Sequence, residues 1–197
     1  MELIKAASTH LPTEYGVFEM VVFHESQTQK EQIALIFGEL DVPKPVLTRV
    51  HSECITGESF HSLKCGCKWQ LDTAMRQIAE RGSGIIIYLK EEGRGIGLTN
   101  KIKAYALQEQ GMDTVEANLA LGLKADARDY KAAVALLKEY GIHQVELLTN
   151  NPAKVSGLEE GGIAVTKRIP IEAAPNRVDH DYLATKKEKL GHILTSV

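Results

Sequence analysis

The stretch Ile85-Ile-Ile-Tyr-Leu89 constrains the fold most, because five consecutive apolar residues between Gly84 and Lys90 leave neither side free for water. Such a run, short and rich in β-branched residues, predicts a strand buried on both faces of a sheet, and a sheet so covered needs helices on its surfaces. The flanking pattern supplies them. Trp69 to Arg81 repeats apolar residues at Leu71, Ala74, Met75, Ile78 and Ala79, one face of a helix that stops at Gly82 and Gly84. Ile96 to Gln110 returns to helical spacing, and Tyr130 to Tyr140 follows Asp126-Ala-Arg128-Asp129, so Asp126 could cap that helix, the alternative being a carboxylate base paired with the Arg128 cation. Gln144 to Thr149 predicts another strand, and Ala153 to Glu160 a short helix ending at Gly161-Gly162.

The first fifty residues read differently. Gly16 to Phe23, Gln32 to Phe37 and Val46 to Val50 are short segments rich in β-branched and aromatic residues, interrupted by Pro43 and Pro45. The expectation is a mixed α/β (α+β) single domain, with a partly parallel sheet covered by helices and an antiparallel, β-rich N-terminal part. Residues 1–175 would make the domain. Residues 176–197, with Arg177, Lys186, Lys187 and Lys189, would form a helical or flexible tail.

Composition narrows the function. The chain has 197 residues, with 23 Lys and Arg against 26 Asp and Glu, and a net charge of −3 does not suit a general nucleic-acid binder. Met1 to Lys5 lacks the basic, apolar start of a secretion signal, and no apolar run is long enough to cross a bilayer, so a cytoplasmic protein without a membrane partner is expected. Three cysteines cannot all pair, which argues against a disulfide scaffold.

Those cysteines carry a positive signal. Cys54, Cys65 and Cys67 fall within fourteen residues, a clustering that points to zinc. Three thiolates suggest an open site with one position left for water or substrate. A closed site completed by His51 or His61, or three unligated thiols in a packed region, are the alternatives. An open site would ionise its water near neutral pH and favour hydrolytic attack on carbon, although the Cys-x-x-Cys signature of zinc deaminases is missing.

Glu91-Glu92-Gly93-Arg94-Gly95-Ile96-Gly97 lies between a buried strand and a helix, where glycines let the backbone approach an anion and Arg94 can fork onto phosphate oxygens. It matches neither the P-loop nor the dinucleotide pattern. A helix-initiating turn with a surface arginine reads equally well. Arg49, Arg128 and Lys154 stand at predicted element ends, where each could simply be solvated, while Gln70, Thr114, Glu116 and Thr149 are polar residues near element ends that could read base edges or sugar hydroxyls.

In order along the chain, Arg49-Val-His-Ser-Glu-Cys54, Cys65-Gly-Cys67, Trp69-Gln-Leu71, Glu92-Gly-Arg-Gly-Ile-Gly-Leu98, Asn100-Lys101, Asp113-Thr-Val-Glu-Ala-Asn118, Asp126-Ala-Arg-Asp-Tyr130 and Leu148-Thr-Asn-Asn-Pro152 closely resemble GTP cyclohydrolase II, in its stand-alone form. The family block Arg-Cys-Asp-Cys-Gly is replaced here by Lys64-Cys-Gly-Cys-Lys68, with both thiols kept.

The resemblance implies a hydrolase acting on cyclic amidine C–N bonds. It would open the guanine ring of GTP at C8 and release formate and pyrophosphate, giving 2,5-diamino-6-(5-phosphoribosylamino)pyrimidin-4(3H)-one, the first step of riboflavin biosynthesis. Cys54, Cys65 and Cys67 would hold one zinc per subunit, and magnesium would accompany the triphosphate. Asp126 would accept a proton and Arg128 would attack the α-phosphorus, or else clamp the phosphates while water attacks. GTP would be contacted by Arg49, Val50, His51, Ser52, Glu53, Gln70, Glu92, Gly93, Arg94, Thr114, Thr149 and Lys154, and the protein would be a homodimer. Two other readings remain at this point: a relative that opens the ring yet retains formate or pyrophosphate or prefers another purine nucleotide, and a non-catalytic nucleotide-binding or zinc-stabilised module.

Overall fold

The computed structural model describes residues 2–124, 126–173 and 180–195. In chain order the strands and helices are β1 (Leu3–Thr13), β2 (Gly16–Glu25), β3 (Glu31–Phe37), β4 (Val46–Ser52), α1 (Ile55–Glu58), α2 (Cys67–Arg81), β5 (Gly84–Leu89), α3 (Gly97–Gln108), α4 (Thr114–Ala120), α5 (Lys131–Glu139), β6 (Gln144–Leu148), α6 (Pro152–Glu160), β7 (Ala164–Ile169) and α7 (His180–Leu190). A tight 3-10 turn covers Glu92–Gly95. The strands form one seven-stranded sheet in the order β1-β2-β3-β5-β4-β6-β7. β1, β2, β3 and β5 pair antiparallel, whereas β4, β6 and β7 pair parallel. This is the mixed α/β class that the sequence implies.

The chain divides into two compact units. The first comprises Met1–His51, Leu71–Lys90 and Asp129–Ile171, and contains the sheet core. Side chains of β5 alternate between two apolar clusters. Ile85, Ile87 and Leu89 join Val21, Phe23, Ala34, Ile36 and the α5 residues Ala133, Leu136 and Leu137, while Ile86 joins Phe18, Leu35, Leu47, Leu148 and the α2 residues Ala74 and Ile78. The run from Ile85 to Leu89 is therefore covered on both faces, since successive strand residues point to opposite sides. Pairing of Ile36 with Ile85 and of Ala34 with Ile87 sets the register of β3 against β5.

The second unit comprises Ser52–Gln70, Glu91–Arg128 and Glu172–Val197. Within it α4 begins with a reciprocal cap: Asp113 accepts from the Val115 and Glu116 backbone N–H groups, and Glu116 accepts from the Asp113 N–H. Lys189 of α7 donates to both of these carboxylates, bonding α7 to the start of α4. Arg177 and the other residues of 174–179 lie outside the described residues, as does Ala125.

Two expectations about local structure are corrected. Asp126 does not cap α5, whose N-cap is Tyr130 with no side-chain bond; the Asp126 carboxylate is taken by Arg128 instead. Lys154 and Arg49 are not solvated cations. Both are buried, with the Lys154 ammonium donating to the Val50 carbonyl at 2.6 Å and Arg49 donating to the Leu148 carbonyl at 2.8 Å. Each long stem reaches a strand-end carbonyl whose partial negative charge offsets the lost hydration.

Candidate active site

The second unit gathers the three cysteines. Cys54 caps α1, a single turn in which the Cys54 carbonyl accepts from the Gly57 and Glu58 N–H groups. Cys67 opens α2, and Cys65 stands two residues earlier. The Cys54 and Cys65 sulfurs are 3.6 Å apart, and all three sulfurs lie within 4.8 Å of one another. Four ligands placed tetrahedrally at a zinc–sulfur distance of about 2.3 Å would stand about 3.8 Å apart, so the spacing fits a metal of that size. Neither His51 nor His61 joins the group among the described residues.

Convergence of the sulfurs depends on a missing side chain. A Cβ at Gly57 would lie 2.8 Å from Cys65 Sγ and 3.3 Å from Cys54 Sγ. Hydrogen bonds from Cys65 and Cys67 hold the Cys54 thiol far below the usual thiol range, with Lys101 adding to the effect against the opposing influence of burial. Those same bonds to Cys54 push Cys65 and Cys67 upward. Three sulfurs this close cannot all ionise alone, and a divalent cation is the group that would let them.

Lys101 is a residue that sequence reading left without a role. It sits on the buried face of α3 with Ala104, and its ammonium donates to Glu92 Oε1 at 2.7 Å and to Cys54 Sγ at 3.1 Å. Burial by itself lowers the ammonium pKa, but the Glu92 bond and the Cys54 charge outweigh it and raise it. The signal available in the sequence was a lysine at helical spacing among apolar positions.

Glu92 opens the Gly-rich segment and is buried, accepting from the Gly93 N–H at 2.7 Å and from the Ile55 N–H at 2.7 Å. Gly93 (φ 64°), Arg94 (φ 61°) and Gly95 (φ 85°) are all left-handed. Arg94 pays about 1 kcal/mol or more for a conformation that L side chains rarely adopt. Its carbonyl accepts from the Ala127 N–H at 3.1 Å, and a Cβ at Gly95 would come within 3.3 Å of the Ala127 carbonyl carbon. The Gly-rich turn thus seats the segment 126–128. There Arg128 donates from Nε to Asp126 Oδ1 at 2.9 Å and from NH2 to Oδ2 at 2.5 Å, while NH1 lies 3.5 Å from Ser52 Oγ. Burial raises the Asp126 pKa, but the bonds and charge of Arg128 prevail and lower it.

The remaining sequence candidates divide between the units. Ser52, Glu53, Gln70 and Thr114 belong to the second, with Thr114 opening α4. Val50, His51 and Thr149 belong to the first and are buried. The His51 ring stacks on Tyr88 at 5.6 Å, and Thr149 Oγ1 accepts from the Asn151 N–H. Lys64, at the departure from the usual family block, lies 4.7 Å above the Tyr105 ring and bonds Glu109.

The family model for GTP cyclohydrolase II matches residues 4–170. The chain belongs to the GTP cyclohydrolase II family. Its similarity to curated relatives runs over almost the whole length. A GTP cyclohydrolase-2 of Histophilus somni is 52% identical over 188 residues, covering 95% of this chain and 87% of that one. One from Actinobacillus succinogenes is 53% identical over 184 residues, with 93% and 85% covered. One from Shewanella loihica is 51% identical over 195 residues, with 99% and 95% covered. Membership makes this chain an enzyme, a hydrolase of the GTP cyclohydrolase II type. Among the described residues no helix is long and apolar enough to cross a membrane.

Proposed function

We propose that the chain hydrolyses GTP at C8 of the guanine ring and at the α-phosphorus, releasing formate and pyrophosphate and leaving the diaminopyrimidine ribosyl phosphate that begins riboflavin synthesis in the cytoplasm. The observation that carries the reading is the convergence of Cys54, Cys65 and Cys67 in a chain of this family. The three thiolates would hold one zinc per subunit, which when bound polarises the carbon under attack and ionises water near neutral pH.

The chain's own residues account for the other requirements. Among the described residues no His, Asp or Glu joins Cys54, Cys65 and Cys67, so three protein ligands would leave one tetrahedral position for the substrate or water. Arg128 presents a guanidinium held in a fork by Asp126, a geometry suited to clamping phosphate oxygens as charge develops. That fork favours the clamp over the nucleophile, because an ionised carboxylate bonded through two nitrogens keeps the guanidinium protonated. In the second unit Ser52, Glu53, Gln70, Glu92, Gly93, Arg94 and Thr114 are the proposed GTP contacts. In the first unit they are Arg49, Val50, His51, Thr149 and Lys154. Magnesium would offset the triphosphate charge, and the active protein is proposed to be a homodimer.

Incubating chelator-free protein with GTP and magnesium, and quantifying formate and pyrophosphate separately, tests the reading. Both products in equal amounts are expected. Pyrophosphate without formate, or tight GTP binding with neither product, overturns it.

A further inference from the structure

A buried lysine needs a partner, and Lys101 has one in Glu92: their side chains are only 10% and 9% exposed and their charged atoms are 2.7 Å apart. That pair alone would satisfy both charges. The ammonium nevertheless also donates to Cys54 Sγ at 3.1 Å. The carboxylate in turn reaches the same place from the other side, since Glu92 Oε2 accepts from the N–H of Ile55, the residue that follows Cys54. One ion pair therefore grips both the sulfur of Cys54 and the backbone next to it. Buried ion pairs contribute little net stability compared with apolar packing, so this arrangement is better explained by what it does to the sulfur.

A hydrogen bond to a thiolate draws electron density away from sulfur and reduces what that sulfur donates to a metal, and partners of this kind orient the ligand as well. We propose that Lys101 is a positioning residue that fixes the Cys54 sulfur and tempers its donation to the metal, with Glu92 aiming the ammonium. The inference rests on the metal reading of the three cysteines. Lys101 acts through Cys54, and no contact with substrate is required of it.

Cobalt-loaded protein reports on the sulfur directly, through its thiolate-to-metal charge-transfer absorption in the near ultraviolet. Lys101→Met keeps an unbranched stem out to Cε and removes the donor; Lys101→Met/Glu92→Gln removes both buried charges, so that no carboxylate is left unpaired. In both variants the band should move to longer wavelength as donation rises, while competition with a chromogenic chelator should show zinc held about 10–100-fold more weakly, because losing the fixed position of the sulfur outweighs the stronger donation. Lys101→Arg, which keeps a charged donor, should bring the band back towards the wild-type position. A folded double variant with unchanged band and unchanged zinc affinity overturns the role of Lys101 while leaving the metal reading intact. Wild-type protein that takes up neither zinc nor cobalt overturns both.

Discussion

Arg128 grips Asp126 with two nitrogens, Nε at 2.9 Å from Oδ1 and NH2 at 2.5 Å from Oδ2. The pair is partly buried, so Asp126→Asn leaves a guanidinium without its counter-charge and should cost about 1–3 kcal/mol in urea unfolding at neutral pH. The sign of the pH dependence follows from the lowered Asp126 pKa. A carboxylate held ionised in the folded state stabilises it above the ordinary carboxylate range, and that contribution fades as pH falls through the folded pKa. The wild type should therefore lose stability towards acid more steeply than Asp126→Asn.

Arg128→Lys separates the two proposed roles of this residue. Lysine keeps the charge but cannot make the fork, so a clamp should survive in weakened form, with pyrophosphate release reduced about 10–100-fold but measurable. Complete loss of pyrophosphate release in a folded variant would count against the clamp.

Gly57→Ala should empty the metal site without touching a ligand. Its Cβ would sit 2.8 Å from Cys65 Sγ, closer than such atoms approach, so the sulfurs must part. Metal analysis of the purified variant should find far less than one zinc per chain, with thermal unfolding showing that the fold persists.

Tyr140 gives an alkaline signature. Burial, with Glu19 and Glu139 nearby, pushes its hydroxyl up to about 12. A phenol that stays protonated longer in the folded state stabilises it below the ordinary tyrosine pKa, and the gain is lost as pH rises towards 12. Absorbance at the tyrosinate wavelength should show a late-titrating component that Tyr140→Phe removes.

Ile87→Ala removes a fully buried side chain from the middle of β5 and should cost about 2–5 kcal/mol, read from denaturant midpoints.

What the sequence made legible followed from how sharply each residue's surroundings constrain it. β5 was plain because burial on both faces forbids polar residues, and α2 and α5 were plain because one face meets an apolar cluster. β1 was missed: ten of its eleven residues pair with β2, yet most are exposed, so no alternation of apolar and polar residues marks it. β7 is hidden for the same reason, with Ala164, Lys167 and Arg168 in its short span.

The thiols were legible because clustered cysteines are rare by chance. Gly57 and Lys101 were not, because each works through an absence or a contact that only the folded chain creates. Asp126 could be a cap or an ion-pair partner on sequence alone, and the proximity of Arg128 decided it.

β1 has a consequence for handling the protein. It stands at the end of the sheet, and among the described residues no strand lies beside one row of its backbone amides and carbonyls, the kind of edge on which chains stack into fibrils. Pro12, which has no amide hydrogen to offer, and the irregular register between Lys5 and Ala7 break that row. Replacing Pro12 with valine would remove one of the two guards on that rim and leave the irregularity between Lys5 and Ala7 as its remaining defence against aggregation.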